Sequence, residues 1–345
     1  MSNAGSWTAR GVGEGVGAFD RFFAEELLAR FPSPELGRRS DAARLGFGSL
    51  VLAVTCDAFT VDPLFFPGGD IGTLAVCGTA NDLLTEGARP EWLLMSLVLG
   101  EEIDPLVVGR VLDSVHEQAS RSGAVLVGGD TKAMKGLRSE LIVTMTGMGV
   151  VRREGPALGF ETVGPGDELV VTGPIAAHSV AVLSAREGLG FEKVISSDCR
   201  DVGLSIGPLV RGSPSIHALR DATRGGLLGV LHELANATGM AVELDVDAVP
   251  VAREVTMAAE MLGLDPLELT NEGCFVIVVE AGTARRLVAE LKEAYAFADA
   301  AAVGRICEAT GPLDRVRLRQ DGDVRVSVRS LSLGVPRLCL VILPP

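Results

Sequence analysis

A chain of 345 residues that is 47% hydrophobic, with positive mean hydropathy, holds enough apolar material for two domains with separate cores. A net charge of −14 excludes an extended nucleic-acid surface, which needs clustered Lys and Arg, but leaves room for a polyphosphate carried with Mg²⁺. No apolar run approaches the ~18 residues of a membrane span, and MSNAGSWTARGVGEG lacks the charged-then-apolar profile of a signal peptide. A cytoplasmic protein is expected, with neither nucleic acid nor membrane as partner.

In chain order, GVGEGVGA at residues 11 to 18 is a linker or a phosphate-covering loop, because no strand precedes it to make a dinucleotide fingerprint. FDRFFAEELLAR has helical spacing and stops at Pro32 and Pro34. SLVLAVTCDAF is a strand, and IGTLAVCGTANDLLTEGA is a helix after the Phe65-Phe66-Pro67-Gly68-Gly69 turn. WLLMSLVLG and residues 124 to 127 are strands joined by the helix PLVVGRVLDSVHEQASRSG, and LIVTMTGMGVV follows. This alternation predicts an α/β or α+β domain over about 38 to 155, preceded by an N-terminal segment, 1 to 37. The Gly-, Pro- and acid-rich stretch 153 to 168 marks a boundary. A second domain, 156 to 315, starts with strand ELVVTG, carries helices around 176 to 188 and 225 to 238, and includes strands AVELDV and CFVIVVE. Residues 316 to 345 have a weak pattern and are expected to be a flexible tail.

Asp41, Asp57, Asp82 and Asp130 stand where apolar runs break into small residues, a placement suited to Mg²⁺ ligands in a metal–nucleotide site. Asp82 shares a helix face with Gly78 and Ala75, so either a ligand or a neighbouring helix can come close, and Asn81 adds an oxygen donor. In GAVLVGGDTK a strand runs into Gly128 and Gly129, whose amides can face phosphate oxygens. Asp130 can then hold a metal and Lys132 a phosphate, with Thr131 between them; a tight turn with a solvated Lys is the other reading. No GxxxxGK[ST] occurs, which excludes a P-loop. In RDATRGGLLG, Asp221 is a metal ligand or a helix cap, and Arg224 sits where a helix start favours an anion. Asn271 and Glu272 precede a strand, in a turn or as ligand and base. Of the four histidines, His178 is the candidate base. The cysteines, Cys56, Cys77, Cys199, Cys274, Cys307 and Cys339, form no CxxC, so neither a zinc site nor a disulfide framework is expected.

Taken together, SDAA, TCDAF, DPLFFPGGDIGTLAVCGTANDLLTEGARPEW, GGDTK, GMG, ALRDATRGGLLGVLHELA and LGLDPLELTNEGCFVIVVE resemble the HypE family of hydrogenase maturation proteins over about residues 38 to 310. That family belongs with aminoimidazole ribonucleotide synthetase, selenophosphate synthetase and thiamine monophosphate kinase. The resemblance implies an N-terminal α/β domain paired with a C-terminal α+β domain, dimerisation through the N-terminal sheets, and Mg–ATP bound in a cleft at that dimer interface. It makes Asp41, Asp57, Asp82, Asp130 and Asp221 the metal carboxylates, Lys132 and Arg224 phosphoryl contacts, and Glu272 or His178 the base. It also implies ATP-dependent dehydration of an S-carbamoyl group on a cysteine near the C-terminus to a thiocyanate, the source of hydrogenase cyanide ligands. The carbamoyl group would come from the HypF carbamoyltransferase, and the product would pass to a HypC–HypD scaffold. The matching tetrapeptide is Pro336-Arg337-Leu338-Cys339. Three departures stand out: GVGEG replaces a His-Gly-Ser-Gly-Gly loop, Ala176-Ala177-His178-Ser179 replaces Gly-Asp-His-Gly, and six residues follow Cys339, which is terminal in the family. A non-catalytic relative that binds nucleotide or Hyp partners is the alternative from another class, and another ATP-using member of the superfamily is the enzyme alternative.

Overall fold

The computed structural model describes residues 22–38, 40–151, 157–311 and 315–327. The GVGEGVGA segment, Cys339 and most of the expected tail therefore lie outside the described residues. A π-type helix, Phe23–Leu28, and one helical turn, Pro34–Gly37, precede the first sheet.

That sheet contains β1 (Ala43–Phe47), β2 (Leu50–Phe59), β5 (Trp92–Gly100), β6 (Val125–Met134) and β7 (Leu141–Val151), in the order β1-β2-β7-β5-β6. A ribbon of β3 (Phe65–Phe66) and β4 (Gly69–Asp70) stands beside it. Within this sheet β5 and β6 pair in parallel and the other neighbours antiparallel, as expected for strands joined by a crossover helix, here Pro105–Ser122. Burial alternates along β7, so one face meets the helices Ile71–Thr85 and Pro105–Ser122 through Ile71, Leu74, Val111, Val115, Leu93 and Met145. Among the described residues no long helix covers the other face, where Leu45, Phe47, Leu50, Trp92 and Leu94 are exposed, Phe47 at 74%. The sheet meets the Ile71–Thr85 helix closely because Gly147 has no side chain: a Cβ there would lie 2.3 Å from Thr79 Cγ2.

The second sheet is built from β8 (Glu168–Val171), β9 (Ile216–Asp221), β10 (Ala241–Asp245), β11 (Phe275–Val279), β12 (Ala301–Cys307), β13 (Val316–Gln320) and β14 (Asp323–Val326). Its order is β14-β13-β10-β12-β8-β11-β9. Every residue of β11 is buried, since helices cover both faces. Val276 and Val278 join the core under Gly226–Thr238, while Phe275, Ile277 and Val279 pack with Val202, Ile206, Leu287 and Leu291.

Two expectations are corrected here. Residues 316 to 326 are not tail: β13 pairs in parallel with β10, burying Val316 and Leu318 in the C-terminal core. GGDTK is not a turn after a short strand, because β6 continues through it to Met134, paired with β5. Its glycine is a packing requirement, since a Cβ on Gly129 would lie 1.7 Å from the Met95 carbonyl oxygen.

Candidate functional site: an acidic cluster between the domains

The segment 197 to 202 ties the two domains together. Ser197 N–H donates to the Pro67 carbonyl at 2.8 Å, and Ser122 Oγ donates to Asp201 Oδ2 at 2.6 Å. Asn81 lies fully inside this junction: its amide donates to the Arg200 and Glu272 carbonyls at 3.0 and 3.2 Å, and its oxygen accepts from Val202 N–H at 3.0 Å. With its hydrogen-bonding capacity taken up by backbone, Asn81 fastens the domains and is not a ligand donor. Asn271 is corrected in the same way. It is buried, accepts from Ala176 N–H at 2.6 Å and donates to the Ala222 and Leu269 carbonyls.

Across this junction the chain brings three distant aspartates together. Asp41 lies two residues before β1, Asp82 lies near the end of the Ile71–Thr85 helix and Asp221 closes β9; one carboxylate oxygen from each falls within 4.8 Å of the others. Asp57, on β2 in register with Met145 and so on the helix-facing side, acts electrostatically on all three. Thr55 Oγ donates to Asp82 Oδ2 at 2.7 Å. Arg220 Nη1 pairs with Asp41 Oδ1 at 2.5 Å, leaving Asp41 Oδ2 buried without a hydrogen-bond partner.

The electrostatics follow from crowding like charges in a dry place. Burial raises the Asp41 and Asp82 carboxyls well above the usual range, with Asp57 adding to the rise at Asp82. Burial also raises Asp221 to about 6, against the pull of Arg220. Glu272 is half-buried beside the cluster and is raised by burial and then by Asp221, Asp198 and Asp57. Its loop is pinned by Asp198, whose oxygens accept from Glu272 and Gly273 N–H at 3.0 Å each. Clustered hard oxygens, one of them an orphaned buried carboxylate atom, fit a divalent cation such as Mg²⁺.

Other expected site residues fall elsewhere. Asp130 is 61% exposed on β6 and pairs with Lys132 Nζ at 3.1 Å, which holds its carboxyl below the usual range. Gly128 and Thr131 lie on the same exposed strand, and within this chain none of them joins the cluster. Arg224 is exposed in the loop before Gly226–Thr238. His178 is corrected: it is 0% exposed, stacks edge-on against Phe66 with ring centres 5.4 Å apart, and shares a hydrogen bond with Ser197 Oγ. Burial holds its pKa down at about 3, so the ring is a neutral core group and not a base facing solvent.

Sequence reasoning passed over Arg220, Thr55 and Asp198. Arg220 had a visible signal, standing directly before Asp221 in ALRDATRGG, whereas Thr55 and Asp198 act through partners 27 and 74 residues away.

Comparison with known proteins identifies the family. Residues 39–151 match the N-terminal domain of AIR synthase related proteins, and residues 164–312 match the C-terminal domain. The chain is 39% identical to carbamoyl dehydratase HypE of Escherichia coli over 340 residues, spanning 95% of this chain and 98% of the relative. It is likewise 39% identical to HypE of Azotobacter vinelandii, over 82% of this chain and 83% of that one. Among solved structures, a chain in the HypE–HypF complex superposes with a TM-score of 0.82 at 35% identity, covering 90% of this chain and 99% of that chain. HypE in complex with ATP superposes at 0.79 with 36% identity, over 94% and 98%. AaThiL complexed with AMPPCP and TMP, at 18% identity and 0.62, shares the fold, covering 92% of this chain and 96% of that one. An interdomain acidic cluster on this two-sheet fold and near end-to-end similarity converge: the chain belongs to the HypE family, within the AIR synthase related proteins.

Proposed function

We propose that this chain is an ATP-dependent carbamoyl dehydratase of hydrogenase maturation. The observation that carries the reading is the cluster of Asp41, Asp82 and Asp221 at the junction of two domains that match carbamoyl dehydratase HypE along nearly their whole length. The reaction balances as Cys339–S–C(=O)–NH₂ plus ATP giving Cys339–S–C≡N, ADP and inorganic phosphate. An amide oxygen is a poor leaving group; phosphorylation makes it a good one, and two N–H protons depart as the nitrile forms.

Each residue has a part in this reading. Asp41, Asp82 and Asp221, with Asp57 beside them, would hold Mg²⁺, which would supply positive charge against the transferring phosphoryl group. Glu272 takes a nitrogen proton, burial having raised its carboxyl well above the ordinary carboxylate range and made it a stronger base. Lys132 and Arg224 meet phosphate oxygens. Asp130, exposed with Lys132 and Gly128 on edge strand β6, enters the site when a second copy covers the face opposite the two long helices, where Leu45, Phe47 and Trp92 are exposed. A homodimer therefore belongs to this proposal. HypF supplies the carbamoyl group, a HypC–HypD scaffold receives cyanide, and a cytoplasmic site of action belongs to the same proposal; no helix among the described residues is long and apolar enough to cross a membrane.

The test uses the full chain with HypF, carbamoyl phosphate and ATP, followed by mass spectrometry of the Cys339 peptide. Carbamoylation followed by ATP-dependent loss of water is expected. A Cys339 peptide that is never carbamoylated, or stays carbamoylated with ATP present, contradicts the dehydratase and favours a nucleotide-binding relative without turnover. Asp82→Asn should slow water loss on the order of a hundredfold or more, as removal of a metal ligand does.

A further inference from the structure

Arg220 occupies an unusual place: a guanidinium set directly against carboxylates that the proposed function assigns to a divalent cation. Its Nε and Nη2 donate to Glu233 Oε2 at 3.2 and 3.0 Å, and Nη1 reaches Asp41 Oδ1 at 2.5 Å. The Glu233 contact fixes the fork from within the C-terminal domain, so the remaining arm crosses to the N-terminal domain. Phe160, 5.9 Å below the guanidinium carbon, gives it an aromatic floor. Asp41 Oδ2 is buried and has no hydrogen-bond partner, and carboxylate oxygens of Asp41, Asp82 and Asp221 lie within 4.8 Å of one another. Such a group of carboxylates repels itself unless something positive is present.

We propose that Arg220 is a place-holder for the cation. It neutralises Asp41 while the site holds no metal, and shifts its charge toward Glu233 when a divalent ion takes the carboxylate. The inference rests on the reading of Asp41, Asp82 and Asp221 as metal ligands. Its consequence follows from linkage: a group that stabilises the metal-free form, and repels a dication beside it, lowers metal affinity while raising metal-free stability. The opposite sign belongs to an orienting residue, which would hold Oδ1 so that Oδ2 faces the metal and would strengthen binding.

The signs separate the two in a titration of the full chain, stripped with EDTA, with Mn²⁺ alone, free Mn²⁺ being read by electron paramagnetic resonance. Arg220→Gln should bind Mn²⁺ more tightly, on the order of tenfold for the loss of a like charge at this range, while its metal-free denaturation midpoint falls. Arg220→Lys, which keeps the charge, should stay near the unsubstituted protein. Glu233→Gln commits the guanidinium to Asp41 and should weaken Mn²⁺ binding severalfold. Arg305→Gln removes the same charge from strand β12, where Arg305 pairs with Glu243, and should change nothing. Unchanged or weaker Mn²⁺ binding by Arg220→Gln overturns the place-holder. If that variant does not fold, unchanged or tighter binding by Glu233→Gln overturns it instead. If the unsubstituted chain and Asp82→Asn titrate identically, the metal reading itself fails and this inference falls with it.

Discussion

At the scale of single residues, burial decides what a polar side chain can do. Asn81 spends both ends of its amide on backbone across the domain junction. Asn81→Ala should strand two carbonyls and one N–H and cost about 2–4 kcal/mol, measured by urea denaturation. Asn81→Asp should cost more, because an acceptor would then face two carbonyl oxygens. Asp221 gives a pH dependence with a definite sign. Its carboxyl holds a proton up to about 6 in the fold but loses it near 4 when unfolded, so the folded state binds more protons in that window. The metal-free protein should therefore lose stability from this group as pH rises from about 4 to 6, by up to about 3 kcal/mol, and no further above that. Urea melts in EDTA at pH 4.5 and 7 test this; a contribution from Asp221 that rises with pH, read against Asp221→Asn, would contradict it. Mg²⁺ should reverse the trend, since binding releases the proton.

Among the elements, the Ile71–Thr85 helix is the one on which the site turns. It is buried nearly all round, packed on the first sheet and against the C-terminal domain, and so it delivers Asp82 from one side and Asn81 from another. Its depth on the sheet depends on Gly147. Gly147→Ala would press on Thr79 and Leu83 and should destabilise by about 1–3 kcal/mol in thermal denaturation. Thr79→Ser deletes the methyl that a Cβ would meet at 2.3 Å, so the double variant should recover part of that loss; strict additivity would refute the contact. Strand β6 teaches a different lesson. Gly128-Gly129 reads as turn punctuation, yet the chain runs straight through, because Gly129 lets the Met95 backbone come close.

For the whole molecule, the telling asymmetry is a five-stranded sheet on which the described residues place the two long helices of the domain on one face. Leu45, Phe47, Leu50, Trp92 and Leu94 remain exposed on the other, and β6 is an unprotected edge of ten residues. Two copies facing each other would bury this surface, and Phe47→Glu should then shift sedimentation from dimer to monomer. A monomeric unsubstituted protein at micromolar concentration would remove the dimer and, with it, the route that brings Asp130 and Lys132 to the cluster.

Local chemistry was largely readable along the chain. Apolar runs marked the Ile71–Thr85 helix and strands β2, β5, β7, β10 and β11, and the motifs around Asp41, Asp82 and Asp221 pointed to one family. These signals are legible because periodicity and small residues beside acids are short-range properties. What depended on separation in sequence was not. Only the fold placed Arg220 against Asp41 across 179 positions, saturated Asn81 and Asn271 with backbone partners, and buried His178 beneath Phe66. It also drew residues 316 to 326 into a sheet through β10, 70 and more positions upstream. A side chain's type fixes which bonds it is able to make, but the neighbours that claim those bonds, and the water they exclude, exist only once the two sheets have docked.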